Sequence, residues 1–176
     1  PSAAAVAREV NRDIATALNA YPLVDFREVA GLQVDREHGG FGGAPKFPHP
    51  TTIDRLLRHW RGSAHEPAPD KDGLFFAALT LKRMAEGGIY DHLGGGFARY
   101  STDEEWLAPH FEKMLYDNAQ LIEIYTDAWR ATRQPLYAER IAETVAWLER
   151  EMIIPEGGAF AAALDADSEG EEGRAY

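Results

Sequence analysis

A glycine-rich loop that carries a phenylalanine recurs three times along this chain. It occurs as GGFGG around Phe41, as GGGFARYSTD around Phe97 and as GGAFAAALDAD around Phe160, so the phenylalanines lie 56 and then 63 residues apart. Two helical segments separate each pair, and periods of this size are typical of stacked helical hairpins. We therefore predict repeats of helix, turn, helix and glycine loop, with all the loops at one end. The alternative, that unrelated glycine loops resemble one another by chance, stays open.

Apolar residues spaced at i, i+3, i+4 and i+7 predict helices along most of the chain. Only the segment Ala159 to Leu164 is predicted to be extended, so the fold class is all-α. The predicted helices run from Ser2 toward Asn19, weakly from Leu23 to Asp35, from a cap at Thr51 or Thr52, from Asp70 through Met84, from Pro109 to about Thr132, and onward from Gln134.

The composition excludes several classes of function. A net charge of −11 over 176 residues argues against a nucleic-acid partner, which basic patches would bind. No apolar run approaches the roughly 20 residues that span a bilayer, so no membrane partner is expected. The absence of cysteine excludes disulfides, thiol catalysis and thiolate zinc sites. We expect a cytoplasmic location, although a chain that begins with Pro1 leaves targeting undecided.

The segment HFEKMLYDNAQ, at the start of the long predicted helix, carries polar side chains where a core face is expected. At about 100° per residue, His110, Asp117 and Asn118 fall on or beside the apolar stripe. Glu112 and Tyr116 fall on the opposite side. Polar groups on a core face must be satisfied whatever their role, so the pattern indicates either a pocket or a buried polar network.

Four residues of this segment and of the loop before it are candidate catalytic groups. An imidazole that titrates near neutral pH can act as general acid or base, which makes His110 and His92 candidates for proton transfer. Lys113 borders the apolar stripe and can hold or polarise a substrate oxygen. Asp117 can orient or charge a neighbouring group.

The loop YDHLGGGFARYSTDEEW combines aromatic rings with carboxylates and an arginine. A sugar pocket needs a flat apolar face for the ring, with charged donors and acceptors for the hydroxyls. An ordinary capped loop, with Arg99 paired to a nearby acid, is the alternative. The candidate substrate-binding residues in this loop and after it are Asp91, Arg99, Tyr100, Asp103, Trp106, Asn118, Asp165 and Asp167.

Metal and phosphate motifs are incomplete. The tail DADSEGEEG resembles the start of an EF-hand loop, but Tyr176 occupies the position where a bidentate glutamate is required. GGAPKF lacks the Ser or Thr that follows the lysine of a P-loop, and no histidines form H-E-x-x-H. We therefore predict no metal site and no cofactor.

Three blocks of the sequence resemble one known family. They are GGFGGAPKFPHP, GGIYDHLGGGFARYSTDEEWLAPHFEKMLYDNAQL and LDADSEGEEGRAY. They are similar to signature blocks of the thioredoxin-domain-containing proteins of the spermatogenesis-associated type, which occur in animals and bacteria. The resemblance implies a thioredoxin-like domain followed by an (α/α) toroid of the six-hairpin glycosidase type, related to N-acylglucosamine 2-epimerase.

The chain departs from this family in two ways. It lacks the thioredoxin-like domain with its cysteine motif, so thiol redox activity is not expected. It also ends after about three hairpins, so we expect a lead-in helix over residues 1–22 and the first part of a toroid over residues 23–176. An open toroid exposes inner helix faces. We expect the remainder of the protein to cover them; without it, the fragment either self-associates or is held by its local hairpins.

The resemblance implies carbohydrate chemistry by analogy, with a small-molecule sugar as partner. The leading hypothesis is isomerase- or epimerase-like proton transfer by His110, helped by His92, although the isolated chain is expected to be inactive. The second is glycoside hydrolysis by Asp103 with Asp117 or Asp165, which requires carboxyl groups about 5–10 Å apart. The third is a scaffold that presents a binding face to a protein or to the thioredoxin-like domain.

Overall fold

The computed structural model describes residues 34–155, 157–168 and 170–172. They belong to the second of two units of the chain, Gln33–Tyr176. The predicted lead-in helix of residues 1–22 and residues 23–33 of the weaker helical stretch lie outside the described residues.

Helices form most of the described fold, as predicted. Helix α1 contacts α2 and α3, α3 contacts α4, and α2 also contacts α4. Two helical hairpins therefore lie side by side, with α1 and α3 in one layer and α2 and α4 in the other. The helices are α1 (Pro50–Ser63), α2 (Lys71–Glu86), α3 (Leu115–Thr132) and α4 (Pro135–Trp147), and a π-helical turn, Leu148–Met152, follows α4.

The core lies between these two layers. Its fully buried side chains include Ile53 of α1, Leu81 and Met84 of α2, Leu121 of α3 and Trp147 of α4. Each belongs to an apolar stripe of its helix, so hydrophobic burial joins the layers. In the part of the chain that the structure describes, no helix is long and apolar enough to cross a bilayer.

Within the described residues, six two-residue strands form three antiparallel pairs in the loop regions. The predicted extended segment ending at Leu164 is confirmed in its last residues, which form a strand. The pairs are β1 (Tyr100–Ser101) with β2 (Pro109–His110), β3 (Lys113–Met114) with β4 (Ala163–Leu164), and β5 (Asp167–Ser168) with β6 (Glu171–Glu172).

The predicted starts of α1 and α2 differ in accuracy. Asp70 caps α2 as predicted, and its carboxylate accepts the N–H of Gly73 at 3.1 Å. The predicted cap of α1 at Thr51 or Thr52 is wrong, because both threonines lie inside the helix. Helix α1 begins at Pro50, which needs no N–H partner in the first turn. His49 precedes it in the left-handed conformation, with φ of 47°.

The predicted start of the long helix is wrong. Helix α3 begins at Leu115 rather than at Pro109, and neither His110 nor Lys113 lies on it. The backbone before Leu115 pairs with other segments: Tyr100 pairs with His110, and Lys113 pairs with Leu164. These ladder bonds hold the segment extended, although its apolar spacing matches a helix.

The recurrence of the glycine loop is confirmed in three dimensions. The same backbone hydrogen bond occurs in each loop. The N–H groups of Asp35, Asp91 and Ile154 donate to the carbonyl oxygen five residues later, at 3.1, 3.0 and 2.7 Å. The loops also join one another, as predicted for loops at one end, because strand β3 of the second loop pairs with β4 of the third. The bridges that close the loops join residues seven positions apart: Val34 to Phe41, Tyr90 to Phe97 and Ile153 to Phe160.

Gly39 and Gly95 allow the first two loops to approach a helix backbone. Both have positive φ, at +70° and +85°, which favours glycine. A Cβ on Gly39 would lie 2.7 Å from the Cα of Thr80 in α2, and one on Gly95 would lie 2.7 Å from the carbonyl oxygen of Glu143 in α4. A side chain at either position would push the loop away from its helix.

A buried lysine holds each of these two loops, and we call the two contacts the lysine clamps. Lys46 Nζ lies 2.6 Å from Asp35 Oδ2 and 2.9 Å from the carbonyl oxygen of the loop glycine. Lys113 Nζ lies 2.7 Å from Asp91 Oδ2 and 2.9 Å from the corresponding carbonyl. Each ammonium also lies over a tryptophan ring, 5.3 and 5.1 Å from its centroid. The two lysines are therefore structurally equivalent.

The third loop lacks a clamp. Ile154 occupies the position of the clamp aspartates, and nothing lies within 4 Å of a Cβ built on Gly158. Phe160 is 47% exposed, whereas Phe41 and Phe97 are buried. This apolar edge is consistent with the open end of a partial toroid, which stays a prediction.

Candidate functional site

A small cavity of about 190 Å³ lies between the first turns of α1 and α3. Arg99 forms part of its wall from the second glycine loop. We call this cavity the α1–α3 pocket; its lining residues are Phe47, Pro48, His49, Pro50, Arg99, Tyr116 and Asp117. Each of the two helices that flank the pocket follows a clamp lysine, since Lys46 lies shortly before α1 and Lys113 shortly before α3.

Asp117 supplies the buried carboxyl group of this pocket. It is 8% exposed, and burial raises the pKa of Asp117 to about 6. The positive charge of Arg99 opposes this rise, and the negative charge of Glu112 adds to it. A carboxyl group that titrates near 6 can both give and take a proton close to neutral pH.

The raised pKa predicts how stability depends on pH. The folded chain holds the Asp117 proton more tightly than the unfolded chain, so the free energy of unfolding should fall as pH rises from about 4 to about 6, by at most about 3 kcal/mol. Asp117→Asn should abolish this fall, whereas Asp54→Asn on α1 should retain it. Urea unfolding across this pH range measures both. An unchanged slope in Asp117→Asn would contradict the raised pKa.

Charged and aromatic groups surround the pocket on the β1–β2 side. Arg99 Nη1 lies 2.8 Å from Glu112 Oε2, and His110 Nε2 lies 4.0 Å from the same oxygen. The Tyr100 and His110 rings stack across β1 and β2 with centroids 4.7 Å apart, and the Phe47 ring lies 4.8 Å from that of Tyr100. The structure thus brings together four residues predicted as site residues, namely Arg99, Tyr100, His110 and Asp117.

Three other predicted residues line a different cavity, of about 530 Å³, which we call the loop groove. Asp91, His92 and Lys113 lie there beside the exposed side chains of Leu93 and Leu107. Their polar atoms are engaged: His92 Nε2 lies 2.9 Å from a backbone carbonyl, and Lys113 belongs to its clamp with Asp91. Asp91, His92 and Lys113 do not line the α1–α3 pocket, and their predicted roles stay predictions.

Asn118 and Trp106, whose predicted binding of substrate stays a prediction, are fully buried and hydrogen-bonded to backbone groups. Asn118 Oδ1 accepts the N–H of Phe97 at 2.7 Å, and its Nδ2 donates to the carbonyl of the same residue at 3.0 Å. Trp106 Nε1 donates to the carbonyl of His38 at 2.9 Å. Both side chains join loops to their neighbours.

Asp103 is engaged in its own turn. Its carboxylate accepts the N–H groups of Glu105 at 2.7 Å and of Leu107 at 3.1 Å. Burial alone would raise the pKa of Asp103, but the backbone hydrogen bonds outweigh it and hold the pKa below its ordinary value. A carboxyl group in this state is a poor general acid but can serve as the base or nucleophile of a carboxylate pair. Asp103 lines neither the α1–α3 pocket nor the loop groove, and the predicted hydrolytic pair stays a prediction.

Asp165 and Asp167 lie exposed near β5, where Asp167 N–H donates to Asp165 Oδ1 at 3.4 Å. Neither lines the α1–α3 pocket or the loop groove. Among the residues that the structure describes, no three His, Asp or Glu side chains are placed to hold a metal ion.

Five residues that line the pocket are absent from the predicted site, namely Phe47, Pro48, His49, Pro50 and Tyr116, and so is Glu112, which pairs with the pocket arginine. A helix that begins at Pro109, as predicted, would place Glu112 and Tyr116 on its outer side. The equivalence of the two clamp lysines is the signal that identifies the residues lining the pocket. Phe47 and His49 follow the first lysine, just as Tyr116 follows the second.

Comparison with known proteins identifies relatives of the chain. Mouse spermatogenesis-associated protein 20 is 46% identical over 140 residues, which cover 79% of this chain and 17% of that protein. The chain is a homologue of one segment of this protein. The predicted family resemblance is therefore confirmed, although no protein-family model matches. The chain spans 17–18% of the length of the spermatogenesis-associated relatives it matches.

Solved structures of sugar epimerases share the fold. The cellobiose 2-epimerase of Spirochaeta thermophila superposes with a TM-score of 0.67 at 21% identity, over 94% of this chain and 42% of that chain. A sugar epimerase from a ruminal bacterium superposes with a TM-score of 0.62 at 18% identity, over 83% of this chain and 38% of that chain. The predicted toroid-type fold is thereby confirmed.

Proposed function

We propose that this chain forms part of a carbohydrate-binding toroid, in which the α1–α3 pocket receives a sugar and Asp117 transfers a proton as in an isomerase or epimerase. The observation that carries this proposal is a carboxyl group with a pKa of about 6 in a cavity of about 190 Å³, beside a guanidinium and aromatic rings. The sugar epimerases of the same fold support a sugar as the ligand.

The reaction requires a group that can hold a proton and return it. The Asp117 carboxylate would take a proton from the carbon next to the sugar carbonyl, and the electron pair of that C–H bond would pass to the carbonyl oxygen. Asp117 would then return the proton to the neighbouring carbon of the enediolate, as in an isomerase, and a group that titrates near the working pH serves both of these steps. Epimerisation would instead need a second proton donor on the opposite face, for which His110 is the candidate.

The other pocket residues fit this chemistry. Arg99 places a permanent positive charge at the wall, where it would stabilise the enediolate oxygen. Tyr116 and Phe47 are 49% and 36% exposed and offer flat apolar surface to a sugar ring. His110 does not line the pocket, so the predicted imidazole base becomes the second candidate for the proton carrier.

Turnover and binding of a panel of mono- and disaccharides test the proposal, in this chain and in a form extended to the length of its relatives. Asp117→Asn should lower turnover by about 10²- to 10⁴-fold and retain binding, because the amide has similar size but cannot carry the proton. His110→Ala should lower turnover less, and the control Asp54→Asn should not. Full turnover in Asp117→Asn would refute the proton transfer; no sugar binding by either form would refute the carbohydrate ligand.

One observation favours a binding role as the second candidate. Leu93 is fully exposed and Leu107 is 68% exposed at the loop groove. Exposed apolar surface of this kind is typical of protein-binding faces. The groove would then contact a protein or a thioredoxin-like domain. The same titrations distinguish the roles, since a scaffold predicts that no sugar binds.

A further inference from the structure

Glu112 lies between the charged groups of the α1–α3 pocket. Its side chain is 23% exposed, and its Oε2 lies 2.8 Å from Arg99 Nη1 and 4.0 Å from His110 Nε2. Its carbonyl oxygen also accepts the Arg99 N–H at 2.8 Å. Glu112 and Arg99 are therefore joined through both backbone and side chain, which fixes the guanidinium relative to the pocket.

We propose that Glu112 is a positioning residue of this pocket: its carboxylate holds Arg99 at the wall and balances the guanidinium charge that faces Asp117. The proposal rests on the function proposed above for the pocket. Glu112 does not line the cavity, so it acts through Arg99 and through its charge.

The charges that face Asp117 explain why such a balance matters. Burial is the largest influence on its pKa; the Arg99 charge then lowers the pKa and the Glu112 charge raises it. His49 and Tyr116 share the pocket with Asp117. Without the Glu112 charge, Arg99 would lower the pKa of Asp117 and keep it a carboxylate that takes protons poorly. With the Arg99–Glu112 pair in place, burial remains the main influence on the pKa of Asp117.

Glu112→Gln tests the charge with little change in shape. The amide oxygen can still accept from Arg99, but the negative charge is lost. The midpoint of the Asp117 titration should move to lower pH by on the order of one pH unit, because a like charge is removed and the arginine charge is no longer balanced. NMR of the Asp117 carboxyl carbon in the 176-residue chain measures this midpoint.

Glu105→Gln is the matched control, since it makes the same charge change at an exposed site away from the pocket. A shifted midpoint in Glu112→Gln but not in Glu105→Gln supports the proposal, and an equal midpoint in Glu112→Gln and the unaltered chain overturns it. If Glu112→Gln does not fold, Arg99→Gln decides: the midpoint should rise, and an unmoved midpoint overturns the proposal. The titration needs no sugar, so the proposed carbohydrate function can fail while this result stands.

Discussion

Replacing Asn118 with alanine is expected to lower the free energy of unfolding by about 4 kcal/mol. The Asn118 side-chain amide pairs with the backbone of Phe97: its Oδ1 accepts the Phe97 N–H at 2.7 Å, and its Nδ2 donates to the Phe97 carbonyl at 3.0 Å. It also donates to the Met114 carbonyl at 2.9 Å. Alanine would leave the Phe97 N–H and carbonyl without this partner in a buried region, where each unpaired polar group costs about 1–3 kcal/mol.

Gln120→Ala is the matched control on the same helix. Gln120 also donates to a carbonyl, that of Tyr116 at 3.0 Å, but the bond is exposed and water can replace it. Its loss should change stability by about 0.5 kcal/mol or less. Urea unfolding measures both variants. A loss below about 1 kcal/mol in Asn118→Ala would show that Asn118 does not hold the second loop on α3.

Replacing either clamp lysine with methionine is expected to cost about 3 kcal/mol, with similar losses at the two sites. Lys46 and Lys113 are 0% and 3% exposed. Their replacement would leave Asp35 and Asp91, respectively, without the cation that each one pairs with. Burial would raise the pKa of Asp35, but hydrogen bonds led by that of Lys46 outweigh it and hold the pKa at about 2. The stability contributed by Asp35 is therefore present above about pH 4 and lost as pH falls to about 2.

Lys82→Met is the control for this pair of variants. Lys82 forms an exposed ion pair with Glu86 at 3.0 Å, and such pairs contribute about 0.5 kcal/mol. Chemical unfolding compares all three variants, and in Lys46→Met the loss of stability in acid should shrink. Two clamps with very different losses would contradict their structural equivalence.

The helices were predictable wherever one apolar stripe and a local cap determine them. Ile53, Leu56 and Leu57 follow helical spacing and lie buried in α1, and Asp70 caps α2 through a bond three residues away. The start of α3 was not predictable in this way. Phe111, Met114 and Leu115 continue the helical spacing, but Lys113 pairs with Leu164 of a later loop. A helical wheel contains no such distant partner, so long-range pairing overrides local pattern.

This error explains why the candidate site was only partly predicted. A helix begun at Pro109 turns Glu112 and Tyr116 outward, whereas the extended segment lets Glu112 reach Arg99. The internal repeat would correct the predicted start of α3 if the two clamp lysines stood at the same distance from their phenylalanines. Lys46 lies five residues after Phe41, however, whereas Lys113 lies sixteen residues after Phe97. The inserted β1–β2 pair hides the equivalence in sequence.

An NMR titration of this chain with reducing monosaccharides tests the central claim most directly, because it locates binding residue by residue. The account predicts that signals of Arg99, Tyr116 and Asp117 shift in proportion to bound sugar and that Asp117→Asn retains these shifts. Shifts confined to Leu93 and Leu107 of the loop groove, or no shifts at saturating sugar, would contradict a carbohydrate site between α1 and α3.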